Sequence, residues 1–141
     1  MGLSSYNGHS GEKRERVQRW LNQQFDAGAL PRPSACAACG QTEGVLDAHL
    51  ENYDEPETFV PLCVICHLAL HCRFRNAAGF VEYRGRVAAG YQHPAVLDRR
   101  TALGELQRTV MKGVFPGIVR PDAPGATFLD SLRVPQPAQL W

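Results

Sequence analysis

CAACGQTEGVLDAHLENYDEPETFVPLCVICHLALH, residues 36 to 71, decides how the rest of the chain is read. It holds two Cys-x-x-Cys pairs, Cys36/Cys39 and Cys63/Cys66, with 23 residues between them; His49 lies between the pairs and His67 and His71 just after. Seven side chains able to bind a metal therefore fall within 36 residues. Each pair can set two thiolates on one tight turn, and two such turns together supply the four soft sulfur ligands that tetrahedral zinc prefers. A structural zinc on Cys36, Cys39, Cys63 and Cys66 is the expectation. Four thiols packed as small hydrophobes is the blander account, and the matched spacing argues against it. The spacer exceeds the commonest zinc-ribbon length, so the insert carries more than a turn.

His67 and His71 are four apart in CHLALHCRFRN, which has a helical pattern, so their rings would project from one face and could chelate a second ion. GVLDAH, ending at His49, has the character of a strand, as does FVPLC, and the acidic, Pro56-containing stretch from Glu51 to Thr58 is expected to loop between them. The order is knuckle, strand, acidic loop, strand, second knuckle, helix with a His pair. This resembles the HNH nuclease family, in particular phage and bacterial members whose ββα-metal core is braced by a zinc on the same two knuckles. The matching residues are Asp47, Ala48, His49, Tyr53, Pro56, Leu62, Cys63, Cys66, His67 and His71.

The resemblance spans residues 36 to 75, about a quarter of the chain, and implies a metal-dependent endonuclease acting on DNA. It implies a second divalent cation, Mg²⁺, Mn²⁺, Ni²⁺ or Zn²⁺, on His67 and His71, with Asp47 or His49 as a further ligand, and catalytic roles for His49 and Asp47. Such a site needs a base to activate water and a cation to stabilise the developing charge. Where relatives often carry a second consecutive His, this chain has Leu50. With His49 on the metal, Leu50 would take the base position and the site would be dead. With the ion held by Asp47 or the later histidines, His49 is the base. Asp47 is equally readable as a ligand or as a carboxylate orienting a His ring. The alternative function is a catalytically degenerate HNH-fold zinc module that binds nucleic acid or a protein partner.

The chain has 141 residues, 44% hydrophobic, and a formal net charge of +1. That length suits one domain with extensions, in which a bound zinc would add usefully to stability. No apolar run reaches the length of a membrane span, and the start lacks the layout of a secretory signal, so a cytoplasmic protein is expected. Reduced thiols there favour metal over disulfides and leave Cys72 unpaired. The near-neutral charge is not the strong basic signature of many DNA binders. Charge is nonetheless sorted: Lys13, Arg14, Arg16, Arg19 and Arg32 precede the core, Arg73, Arg75, Arg84, Arg86, Arg99 and Arg100 follow it, and Glu43, Asp47, Glu51, Asp54, Glu55 and Glu57 crowd the insert. Basic surfaces of this kind can track a phosphate backbone. No Walker-type Gly loop and no Gly-x-Ser-x-Gly is present, which argues against an NTPase or a serine hydrolase.

The fold class expected is α+β: a small ββα-metal core braced by a four-cysteine zinc site, flanked by an N-terminal helix, C-terminal helices and an extended Pro-containing arm. Residues 1–35 give a loose lead-in and a basic amphipathic helix, 36–78 the core, 79–113 the C-terminal helices and 114–141 the arm. The first helix starts at Gly11 with Ser10 as N-cap, buries Val17, Trp20, Leu21 and Phe25, and stops at Gly28. A helix from His67 through Arg75 packs Leu70 and Phe74 inward. A second, bounded by Gly79 and Gly90, carries Phe80, Tyr83 and Val87, and Tyr91 to Pro94 turns. A third runs from an Asp98 cap to Gly113 with Leu103, Leu106 and Val110 on one side. His9 and His93, without partner spacing, are expected at the surface. The arm, with five prolines yet also Phe115, Ile118, Val119, Phe128, Leu129, Leu132 and Trp141, is expected to pack on its own domain or on a second copy.

Overall fold

A computed structural model describes residues 3–124 and 128–135; Trp141 and the end of the arm lie outside these. Helix α1 (Gly11–Asp26) begins where Ser10 holds an extended backbone and its Oγ accepts the Lys13 N–H at 3.1 Å, and it ends just before Gly28, whose φ of +75° few residues other than glycine adopt cheaply. Its buried stripe is Leu21 and Phe25 with Val17 partly covered, spaced i, i+4, i+8. Trp20 falls at the edge of that stripe and is 40% exposed, against the expectation of a core position.

The described residues form two compact bodies. The first comprises the chain up to Pro33 together with Ala48–Val60. Its core is Tyr6, Leu21, Phe25, Leu50 and Tyr53, with Val17, Leu30, Ala48 and Phe59 packed against it. Phe25 meets Phe59 edge-on at 5.3 Å. Arg14, expected on the basic surface that precedes the core, is buried: its guanidinium lies 5.3 and 5.4 Å from the centroids of Tyr6 and Tyr53, and Nε donates to the Tyr53 hydroxyl at 3.1 Å. Tyr6 and His9 exchange two backbone hydrogen bonds of 2.9 Å across Asn7–Gly8, with φ of 51° and 80°. Asn-Gly is the dipeptide that tolerates two consecutive positive φ angles, so the turn is written locally. His9 is half-buried, 5.6 Å from the Tyr53 ring, rather than on the surface.

The second body comprises residues 34–47 and those from Pro61 onward. Strands β1 (Leu46–His49) and β2 (Val60–Cys63) pair in a two-stranded sheet; Leu46, Asp47 and Pro61–Cys63 belong to this body, and β2 runs directly into helix α2 (Val64–Cys72). The helix starts three residues before His67, because Cys63 serves as its N-cap and its Sγ accepts the Cys66 N–H. It also ends before Phe74, which is 52% exposed rather than packed inward. Helix α3 (Ala77–Ala88) is capped by Asn76, whose Oδ1 accepts the Gly79 N–H at 3.0 Å, and buries Phe80, Tyr83 and Val87 completely. Tyr91 and Gln92, expected to turn, form strand β3, paired antiparallel with β4 (Ile118–Val119) of the arm in the register Tyr91↔Val119 and Gln92↔Ile118. Asp98 caps a helical run from Arg99 to Met111, a 3-10 turn, helix α4 (Ala102–Leu106) and a π turn; Leu106 and Val110 are buried while Leu103 is exposed.

The described part of the arm packs on its own body. Leu129 and Leu132 are buried, and the carbonyls of Leu132 and Arg133 accept hydrogen bonds from Arg84 and Arg73. Arg73, expected on a basic surface, is buried by that bond and by one to the Leu70 carbonyl. Among the described residues no helix is long and apolar enough to cross a membrane.

Candidate metal centre

Cys36 and Cys39 sit on a tight turn in which the Gly40 N–H bonds the Cys36 carbonyl at 2.9 Å and the Cys39 N–H points to the Cys36 sulfur at 3.4 Å. Cys63 and Cys66 repeat the geometry at the start of α2, with the Cys66 N–H 3.5 Å from the Cys63 sulfur. A bond of 2.8 Å from the Ala37 N–H to the Pro61 carbonyl ties the two turns together. All four side chains are buried and free of disulfides, and their sulfurs lie within 4.8 Å of one another. Cys39 and Cys63 are 3.7 Å apart at Sγ. A tetrahedron with metal–sulfur distances of about 2.3 Å has edges of about 3.8 Å, so the set can hold one metal ion with little rearrangement.

The electrostatics point the same way. Hydrogen bonds from Cys39, then Cys63 and Cys66, hold the Cys36 thiol far below its ordinary pKa, whereas Cys63 and Cys66 are pushed well above theirs by hydrogen bonding with Cys36 and by burial. Cys36 thus gives up its proton readily, while Cys63 and Cys66 resist doing so unless a cation joins the set. Around the set, the Tyr83 hydroxyl lies 3.1 Å from the Cys66 sulfur and Gln92 Nε2 donates to the Cys39 carbonyl at 3.0 Å. Burial, then the nearby sulfurs, raises the Tyr83 pKa, so that hydroxyl keeps its proton.

Next along α2, His67 and His71 present their rings 5.1 Å apart, as i, i+4 spacing requires. His67 Nδ1 lies 2.9 Å from Asp47 Oδ2. The same carboxylate is held by Arg99, with Nη2 to Oδ1 at 2.7 Å and Nη1 to Oδ2 at 3.3 Å. Burial works to raise the Asp47 pKa, but the hydrogen bonds from His67 and Arg99 outweigh it and bring it to about 2. An ionised Asp47 only accepts, so His67 Nδ1 is the donor in that contact.

His49, on β1, belongs to the first body and is 1% exposed. Its Nε2 lies 2.6 Å from Glu51 Oε2, which also accepts the Tyr6 hydroxyl. Leu50 is buried beside Leu21, Phe25 and Tyr53, so its position is an apolar core position. His93, expected at the surface, is buried, with Nδ1 2.8 Å from the Tyr91 hydroxyl and Nε2 3.2 Å from Glu105. Burial pushes its pKa down against the pull of Glu105.

Sequence reasoning brought out the four cysteines, Asp47, His49, His67 and His71. It placed Glu51 in the acidic insert loop, Arg99 among the basic residues after the core and Tyr83 with the apolar residues of a helix. Asn7–Gly8 signals its own turn but not the contact with Glu51, 44 residues away, and Tyr83 and Arg99 gave no signal, since their partners are 17 and 52 residues away. No protein-family model matches this chain, and comparison with curated proteins and with solved structures gives no match.

Proposed function

We propose that the chain is a metal-dependent HNH-type endonuclease that hydrolyses phosphodiester bonds in DNA, with a structural zinc on Cys36, Cys39, Cys63 and Cys66. The observation that carries the reading is the Asp47–His67–His71 arrangement: a helical His pair directly after the second knuckle, with a carboxylate on His67 Nδ1. Metal-binding imidazoles characteristically donate their other N–H to a carboxylate in this way. Asp47 thus takes the orienting role, and His67 and His71 are the ligands of a second divalent cation. That cation, when bound, supplies charge stabilisation at the phosphoryl and leaving oxygens.

The chain's own residues supply the remainder. Asp47 and His49 are two apart on β1. His49 accepts the proton of the attacking water, whose oxygen bonds to phosphorus as the P–O bond to the leaving oxygen breaks; that oxygen then takes up a proton. Leu50, as a core residue of the first body, is not a lost base, which favours His49 in that role. Arg99, 63% exposed beside Asp47, offers cationic surface to the phosphate backbone. A second reading, the non-catalytic zinc module that binds nucleic acid or protein, draws support from the burial of Arg14 and Arg73, which removes two cations from the surface.

The test is metal content per chain, followed by plasmid cleavage with Mg²⁺, Mn²⁺, Ni²⁺ or Zn²⁺ for the native protein, His49→Ala and His67→Ala. One tight zinc and cleavage lost in both folded variants supports the nuclease. Zinc without cleavage above a mock purification, under every cation, leaves the binding module.

A further inference from the structure

The contacts around His49 include a carboxylate that is itself clamped. Glu51 Oε2 lies 2.6 Å from His49 Nε2 and accepts the Tyr6 hydroxyl, while Asn7 Nδ2 donates to Glu51 Oε1 at 3.0 Å and to the Glu51 carbonyl at 2.9 Å. All of these residues belong to the first body. Asn7 is the one non-glycine residue with positive φ among those described, and the turn it makes with Gly8 brings its amide to Glu51. Tyr6 also stands edge-on to the His49 ring, with centroids 5.8 Å apart. Two donors from that turn, the Tyr6 hydroxyl and the Asn7 amide, hold the carboxylate against His49.

We propose that Glu51, locked by Tyr6 and Asn7, is a positioning residue that fixes His49 as its Nε2–H tautomer and so makes Nδ1 the proton-accepting atom. The inference rests on the nuclease reading for the role of His49. Glu51 Oε1 accepts from the Asn7 amide and Oε2 from the Tyr6 hydroxyl, so both oxygens of the carboxyl act as acceptors. His49 Nε2 must then be the donor. The neutral ring's lone pair is left on Nδ1, and the ring's orientation is set before any substrate arrives. Glu51 touches His49 rather than substrate, so its effect falls on the proton-transfer step and not on DNA affinity.

Two readouts test this on the full chain. Two-bond ¹H–¹⁵N correlations of the imidazoles, with His49 assigned by its loss in His49→Gln, are expected to show an Nε2–H ring in the native protein and in Glu51→Gln, which keeps an acceptor. Glu51→Leu is expected to give a mixture of tautomers. Asn7→Asp, which tolerates the same backbone and sets a second carboxylate against Glu51, is expected to loosen the ring in the same direction without touching His49, and it serves if Glu51→Leu fails to fold. In plasmid cleavage, Glu51→Leu should lower kcat about 10- to 100-fold at unchanged KM, the scale of an orienting partner, with most of the rate restored in Glu51→Gln. An Nδ1–H ring in the native protein, or a tautomer unmoved in both Glu51→Leu and Asn7→Asp, overturns the proposal. A tautomer that shifts in a protein that never cleaves upholds the clamp and overturns the nuclease reading instead.

Discussion

Tyr83→Phe removes a single oxygen from the surroundings of the four cysteines and nothing else. Tyr83 is fully buried, its ring projecting from α3 with Tyr91 of β3 edge-on at 6.2 Å, so phenylalanine fills the same volume. What is lost is the hydroxyl 3.1 Å from the Cys66 sulfur. Once a metal is bound that sulfur is a thiolate, and a hydrogen bond to a charged acceptor contributes about 1.5–3 kcal/mol. Sharing of the charge with the metal puts the effect at the lower end, about 1.5 kcal/mol, which is roughly tenfold in affinity. Full burial means that no water replaces the missing donor. The assay is competition for zinc against a chelator of known affinity, with cobalt substituted in parallel so that the thiolate-to-metal absorption reports the donor set. A dissociation constant raised about tenfold with the four-sulfur spectrum retained is expected. A constant within twofold of the native value, in a variant with native circular dichroism, would refute the reasoning, because the hydroxyl would then contribute nothing to the thiolate.

Two further outcomes follow from the first body. Arg14→Met keeps the aliphatic stem but loses the bond to Tyr53 and the two aromatic faces, and should destabilise the protein by about 2 kcal/mol in urea unfolding; a change under about 0.5 kcal/mol would mean the guanidinium is not held there. The Glu51 carboxyl is depressed from 4.5 to about 2 in the folded protein, so its stabilising contribution is fully present above pH 4.5 and is lost as pH falls toward 2. The difference in Tm between native protein and Glu51→Gln should therefore shrink over that window, and a difference constant from pH 6 to 2 would show that the carboxylate is not held by His49, Tyr6 and Asn7.

The chain's local chemistry was legible wherever one short stretch carries the instruction. Ser10 as a cap, Gly28 as a stop, the twin Cys-x-x-Cys spacings and the i, i+4 His pair each act within a turn or two, so residue type and spacing suffice. The α+β class followed from the same patterns. Beyond one turn the pattern lost its authority. Trp20 and Phe74 have core chemistry but sit off the buried faces, while Arg14, Arg73 and His93 have surface chemistry but are buried because partners elsewhere in the chain satisfy them.

The candidate site divides along the same line. The sequence by itself determined which residues can ligate a metal, because a thiolate or an imidazole is a ligand wherever it stands. Only the tertiary structure decided what governs them: that Tyr83 reaches the Cys66 sulfur, that Asp47 is shared by His67 and Arg99, and that an Asn-Gly turn more than forty residues away grips the carboxylate beside His49. Ligand identity is a property of one side chain, whereas protonation, tautomer and orientation are set by groups that only folding brings within a few ångströms.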